Sequence, residues 1–175
     1  MHIRKETLQD AEAIARVHVD SWKTTYKGII PDEFLNSLYY TQRTDLWTQA
    51  IAQQDHFVMV AETSEGEIVG FADGWKRETN TIPHSGDLTS IYILESYQGK
   101  GMGKQLLQSL FKLFKQLGWQ KVFVEVLEDN KTCEWYEHYD ATLCKTVTIQ
   151  IGGVLLNERI YEWNNIDDVL VRLSK

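Results

Sequence analysis

Hydrophobic and polar positions change their period several times along the chain. Residues 3–5 form a short stretch that predicts a first strand. Thr7-Leu8-Gln9-Asp10 then supplies a capping-type entry to a helix in which Ala11, Ile14, Ala15, Val17 and His18 recur at three- and four-residue spacing toward Trp22. That helix is expected to stop near Tyr26-Lys27-Gly28. Pro31 suits a helix start with Phe34, Leu35 and Leu38 on one face, and Thr41 opens another that carries Leu46, Trp47, Ala50 and Ile51. The period then becomes that of strands: 57–61 and 68–72 flank the polar turn Ser64-Glu65-Gly66-Glu67 and predict a hairpin. A polar loop over 77–86 leads to a strand at 88–93. From Gly101 onward Leu106, Leu107, Leu110, Phe111, Phe114 and Leu117 return at helical spacing as far as Gly118, and 122–126 reads as a strong strand. Asn130 is placed to cap a helix through Tyr139. Residues 146–149 and 155–163, joined through Gly152-Gly153, read as a closing hairpin, with a short helix after Asn164.

Most neighbouring strands are thus hairpin-connected, and a single strand–helix–strand crossover lies between 88 and 126. The expected fold class is α+β, a mixed, mostly antiparallel central sheet flanked by helices with one βαβ crossover, rather than a doubly wound parallel sheet. With 175 residues and neither a repeat nor a Pro-, Gly- or Ser-rich linker, the expectation is one domain over 1–175. Such a chain buries enough surface to need no disulfide or zinc staple, so Cys133 and Cys144 read as ordinary thiols. The net charge of −7 argues against a nucleic-acid partner and would welcome a cationic one. No stretch approaches 18 apolar residues, so neither a membrane partner nor a targeting signal is expected and the protein should be cytoplasmic.

The most informative segment is Gln98-Gly99-Lys100-Gly101-Met102-Gly103, between the strand at 88–93 and the long amphipathic helix. Glycines there leave backbone N–H groups bare at a helix N-terminus, and Lys100 and Lys104 add positive charge, an arrangement suited to phosphate. A P-loop is excluded, since Gly99 and Gly103 enclose three residues rather than four and Gln105 follows Lys104. A dinucleotide fingerprint fits poorly because Lys104 would occupy its third glycine position and no second βαβ unit follows.

The remaining pattern, Gln, two residues, Gly, one residue, Gly, is met by Gln98, Gly101 and Gly103, and here the chain resembles the GNAT superfamily of acetyl-CoA-dependent N-acetyltransferases. The likeness runs from Leu88 through Ile91-Tyr92-Ile93 and Tyr97 to Gly103. It continues in Asn130-x-x-Cys133-x-Trp135-Tyr136-Glu137 and appears upstream in Asp10-Ala11-Glu12-Ala13-Ile14 and in His18, Trp22, Tyr26 and Gly28 to Pro31. The resemblance implies a GNAT fold with acetyl-CoA as cofactor. Ile91, Tyr92 and Ile93 would lie on a splayed strand whose backbone pairs with the pantetheine arm. Gln98, Gly99, Lys100, Gly101, Met102, Gly103 and Lys104 would cradle the diphosphate. Asn130 would touch the cofactor, or cap its helix, or both.

Tyr136 stands where the family often places the phenol that protonates the departing thiolate; the residues alone also allow an aromatic helix face. Asp140-Ala141 replace a usual Gly-Phe pair, which leaves the end of that helix open. An amine must lose a proton before it attacks a thioester. Asp87, at the start of the central strand, is the first candidate base, Glu125 the second, His84 the third, and an oriented water remains open. Trp22 and Tyr26 would wall the acceptor site or belong to the core. Scattered histidines and the absence of a Cys-x-x-Cys pair point to no metal, and direct attack by the amine is favoured over a covalent acyl-enzyme. The expected function is transfer of an acetyl group to the primary amine of a small molecule, polyamines included. The alternatives are a protein or peptide amino-terminal or lysine acetyltransferase and a catalytically silent CoA-binding sensor; a homodimer is compatible with any of these.

Overall fold

A computed structural model describes residues 1–175. Seven strands, β1 (His2–Lys5), β2 (Phe57–Glu62), β3 (Ile68–Trp75), β4 (Ser85–Ile93), β5 (Lys121–Leu127), β6 (Thr142–Ile151) and β7 (Val154–Trp163), form one sheet in the order β1-β2-β3-β4-β5-β7-β6. Only β4 and β5 run parallel, so the expected mixed sheet with one crossover is what the chain builds. The crossover helix α4 (Met102–Gln116) packs with α6 (Ile166–Leu173) and α5 (Thr132–His138) on one face, over a core that includes Leu106, Leu107, Leu110, Phe111, Val122, Val124 and Trp163. The other face carries α1 (Ala11–Thr25), α2 (Asp32–Asn36) and α3 (Tyr40–Ile51), with Ile14, Val17, Trp47, Val60 and Phe71 buried between them. A smaller cluster of Val19, Tyr26, Ile30, Leu35 and Leu127 seats the end of α1 against β5. No helix is long and apolar enough to cross a membrane.

Parity along β5 explains its double exposure. Val122, Val124 and Val126 face α4, whereas Phe123, Glu125 and Leu127 face the α1 side. β4 departs from such regular alternation. Leu88 pairs with Gly74 and Ser90 with Asp73, so Thr89 is an extra residue, a β-bulge. The bulge lets Leu88, Ile91 and Ile93 share the α4 side while Ser90 and Tyr92 turn to the α1 side.

The end of α5 settles differently from a glycine-terminated helix. Asp140 itself takes the left-handed conformation, φ 67°, and Ala141 N–H donates to the Tyr136 carbonyl at 3.1 Å. Aspartate tolerates that region better than most residues but less well than glycine. Asp140→Gly is expected to raise stability by about 1 kcal/mol, read as a Tm increase of about 2–4 °C by calorimetry.

Candidate functional site

The parallel pairing of β4 with β5 extends only from Ser85↔Lys121 to Leu88↔Val124. Past the bulge the strands part: Ser90 to Ile93 pair with β3 alone, and Glu125 to Leu127 pair with β7 alone. A wedge with unpaired backbone on both walls opens toward the carboxyl ends of the strands. On the α4 side it contains a cavity of about 450 Å³ lined by Ile91, Ile93, Tyr97, Gln98, Gly99, Gly101, Met102, Gly103, Lys104, Lys131, Thr132, Trp135 and Tyr139. Eight of the eleven residues named from the sequence for the cofactor line this one space.

Gly99 and Gly101 adopt φ of +73° and +79°, and a Cβ built on either would meet nothing within 4 Å. Gly101 precedes the first turn of α4, and no side chain caps that end. The N–H groups of Met102, Gly103 and Lys104 therefore face an open cradle with no intrahelical acceptor. The Met102 side chain is buried and contributes its backbone alone. Gln98 holds the loop by donating from Nε2 to the Ile93 carbonyl at 2.9 Å, and Lys100 turns back to the Ser96 carbonyl at 3.1 Å. At Gly103 a Cβ would press to 3.3 Å on the Trp135 ring, so that glycine serves packing of α4 against α5. An anionic, extended group that can hydrogen-bond to a strand edge fits these residues.

Asn130 holds the entry to α5: its Oδ1 accepts from Thr132 N–H at 2.9 Å, and its Nδ2 faces the Tyr26 hydroxyl at 3.5 Å, bordering a second, polar cavity with Lys27, Gln98 and Lys131. Tyr26 is buried, its hydroxyl 2.9 Å from that of Tyr92, and Trp22 packs on it with ring centroids 4.8 Å apart. Both belong to the hydrophobic seam between α1 and β5. Tyr136 is buried among Trp135, Tyr161 and Trp163, yet its hydroxyl has no hydrogen-bond partner. Burial pushes the phenols of Tyr26, Tyr92 and Tyr136 upward, so all three keep their protons at neutral pH.

The three candidate bases occupy different places. His84 lies in a loop at the opposite end of β4, on the order of 20 Å of extended strand from Ile91. Asp87 is 4% exposed and sits where β4 and β5 are still paired. Its carboxylate accepts from Arg77 N–H at 3.0 Å, Asn80 Nδ2 at 3.1 Å and Arg77 Nη1 at 3.4 Å, an arrangement that ties down the 76–84 loop. Glu125 is the first β5 residue beyond the last parallel pair, and its side chain is 37% exposed. Its one ionic neighbour is Arg77 at 3.7 Å.

Glu158 shares the α1-side face, paired across β7 with Leu127. Burial, and then the charge of Glu125, raise its pKa. A carboxyl group raised on folding stabilises the fold at low pH, and that contribution is lost as pH rises through the folded pKa. Glu158→Gln is therefore expected to raise Tm at pH 7–8 and to leave it unchanged near pH 4, as thermal melts at the two pH values will show.

Sequence reasoning missed Trp135 and Tyr139 as cleft walls and Lys131 and Thr132 as its rim. Trp135 stood within the segment from Asn130 to Glu137 that carries the resemblance, but helical patterning assigns it, like Tyr139, to packing, and Lys131 and Thr132 carried no signal beyond following Asn130.

A family model described as the Acetyltransferase (GNAT) family matches residues 17–139. The uncharacterized N-acetyltransferase YuaI of Bacillus subtilis (strain 168) is 34% identical over 173 residues, 99% of this chain and 98% of the relative. The spermidine N(1)-acetyltransferase of Thermoplasma acidophilum is 26% identical over 122 residues, covering 67% of this chain and 73% of that protein. Among solved structures, PaiA N-acetyltransferase from Thermoplasma acidophilum in complex with coenzyme A superposes with a TM-score of 0.72 at 21% identity, over 93% of this chain and 98% of that one. With the wedge, the glycine cradle and these matches together, the chain belongs to the acetyltransferase (GNAT) family and is an acetyl-CoA-dependent N-acetyltransferase.

Proposed function

We propose that the protein acetylates the primary amine of a small cationic molecule, with polyamines the first class to test. The observation that carries this reading is the position of Glu125, the first β5 residue in the open wedge, on the face opposite α4 and beside Glu158. A carboxylate pair beside the opening draws a protonated amine toward it, and the spermidine substrate in the name of the Thermoplasma relative agrees in chemistry.

Bound acetyl-CoA supplies an activated acetyl thioester. The backbone of Ile91, Tyr92 and Ile93 offers an added-strand edge for its extended arm, and the N–H groups from Gly99 to Lys104 receive its diphosphate with Gln98, Lys100 and Lys104 around them. Asn130 borders the cofactor at the far wall. Glu125 takes the proton from the acceptor ammonium so that a neutral amine attacks, and Arg77 lies beside it at 3.7 Å. Asp87 positions Arg77 instead of acting as the base. Tyr136 keeps a proton on a hydroxyl that nothing else engages, ready for the leaving sulfur. Trp22 and Tyr26 form the apolar wall behind the amine.

Glu125→Gln is expected to lower kcat by about 100-fold near neutral pH, with the loss shrinking as pH approaches the pKa of the acceptor amine. Asp87→Asn is expected to lower Tm with a smaller effect on kcat. Following thiol release from pH 6 to 10 with spermidine and simpler amines checks both; equal rates for Glu125→Gln and the unsubstituted enzyme would rule out this assignment of the base.

A further inference from the structure

A third cavity, apart from the cofactor wedge, lies on the α1 side of the sheet, between α1, α3 and strands β2 to β4. It measures about 150 Å³ and is lined by His18, Arg43, Leu46, Trp47, Ala50, His56, Asp73, Thr89 and Ser90. Its polar groups are unevenly satisfied. Asp73 is 2% exposed, and both of its oxygens are engaged: His56 Nε2 lies 2.6 Å from one, and Ser90 Oγ donates to the other. His18 accepts from Trp47 Nε1 at 3.1 Å, and burial pushes its pKa down to about 3, so its ring is neutral. Three groups remain without a partner. The half-buried Arg43 guanidinium makes no hydrogen bond and no ion pair, the Thr89 hydroxyl at the β-bulge is buried and unpaired, and His56 Nδ1 is unengaged while Asp73 fixes the ring.

A cavity whose only acidic group is already compensated, and whose free groups include a cation and a hydroxyl, lacks an acceptor. In a chain of net charge −7, a partly buried arginine without a carboxylate partner is a conspicuous vacancy for an anion. Shape narrows the class. The guanidinium fork matches a planar carboxylate through two parallel hydrogen bonds. Trp47, on which His56 stacks with ring centroids 5.8 Å apart, provides an aromatic wall for a short carbon chain. The volume corresponds to about five waters, enough for a carboxylate with two or three carbons. Asp73 nearby disfavours a dianion such as phosphate.

We propose that this cavity binds a short-chain monocarboxylate, its carboxylate held by Arg43 with the Thr89 hydroxyl completing the contacts. The carboxylate belongs either to a free organic acid or to an acyl acceptor that also carries an amine, since Thr89 and Ser90 form both the cavity wall and the bulge at the wedge.

Calorimetric titration of propionate into the full chain without cofactor tests this. Saturable binding is expected, weakened at least about tenfold, or about 1.4 kcal/mol, by Arg43→Gln and also weakened by Thr89→Val, while coenzyme A binding by Arg43→Gln stays unchanged and reports an intact fold. The source is then separated kinetically. If propionate raises the KM for 4-aminobutyrate but not for a carboxylate-free amine, the site holds the acceptor's carboxylate; if it binds with neither KM altered, the ligand is a free acid. Absence of saturable heat, or equal affinity in Arg43→Gln, overturns the proposal. Because the titration needs no turnover, its result stands whether or not any amine is acetylated.

Discussion

Aspartate in place of Gly101 is expected to weaken coenzyme A binding more than about 100-fold, and asparagine in the same place about tenfold, a gap set by the Coulomb cost of one added charge near the diphosphate. Gly101 has φ +79°, and its missing Cβ leaves open space at the start of α4. Asparagine and aspartate both tolerate this left-handed conformation, and Asp140 in the same chain already adopts it. The two substitutions therefore impose similar strain and fill the cradle to a similar extent. They differ in charge alone, at the point where the helix dipole and three bare N–H groups favour an anion. Calorimetric affinities of coenzyme A for the two variants will reveal that difference. Equal losses would mean that the loop matters through its shape and that no phosphate sits there.

Tyr136→Phe is expected to lower kcat by about 100-fold, the low end for a lost general acid, with coenzyme A affinity and Tm nearly unchanged. The ring is packed against Trp163 at 5.6 Å and Tyr161 at 6.4 Å, contacts that phenylalanine retains. The hydroxyl donates to nothing in the protein, so its removal leaves no buried partner unsatisfied. Loss of turnover without loss of stability or affinity is the signature of a proton donor. Unchanged kcat would assign the proton to another group, and unchanged affinity with no turnover in the unsubstituted chain would favour a CoA-binding sensor.

Much of this architecture was legible from the order of residues. The helix carrying Leu106, Leu107, Leu110 and Phe114 shows its buried stripe directly, and Gly152-Gly153, with φ of 58° and 81°, announces its hairpin turn. The open glycine turn before α4 was equally readable because glycine spacing and a helix start are local facts. What stayed hidden depends on long-range pairing. The bulge at Thr89 shifts the parity of β4 by one residue, which alternation in a six-residue strand does not reveal. Asp87 reads as an exposed strand start until Arg77 and Asn80 fold over it. Glu125 is distinguished from it only by where the parallel pairing with β4 ends. The Tyr26, Tyr92 and Asn130 contact joins three segments, and the Asp73 network joins His56 to Ser90 across two strands; in neither case does spacing carry a signal.

Amide chemical shifts followed during titration with coenzyme A locate where its diphosphate and extended arm bind. The N–H signals of Gly99, Gly101, Met102, Gly103 and Lys104 are expected to move together with those of Ile91 to Ile93, saturating at one equivalent. Saturation with those signals stationary, and others far from the wedge displaced, would contradict this placement.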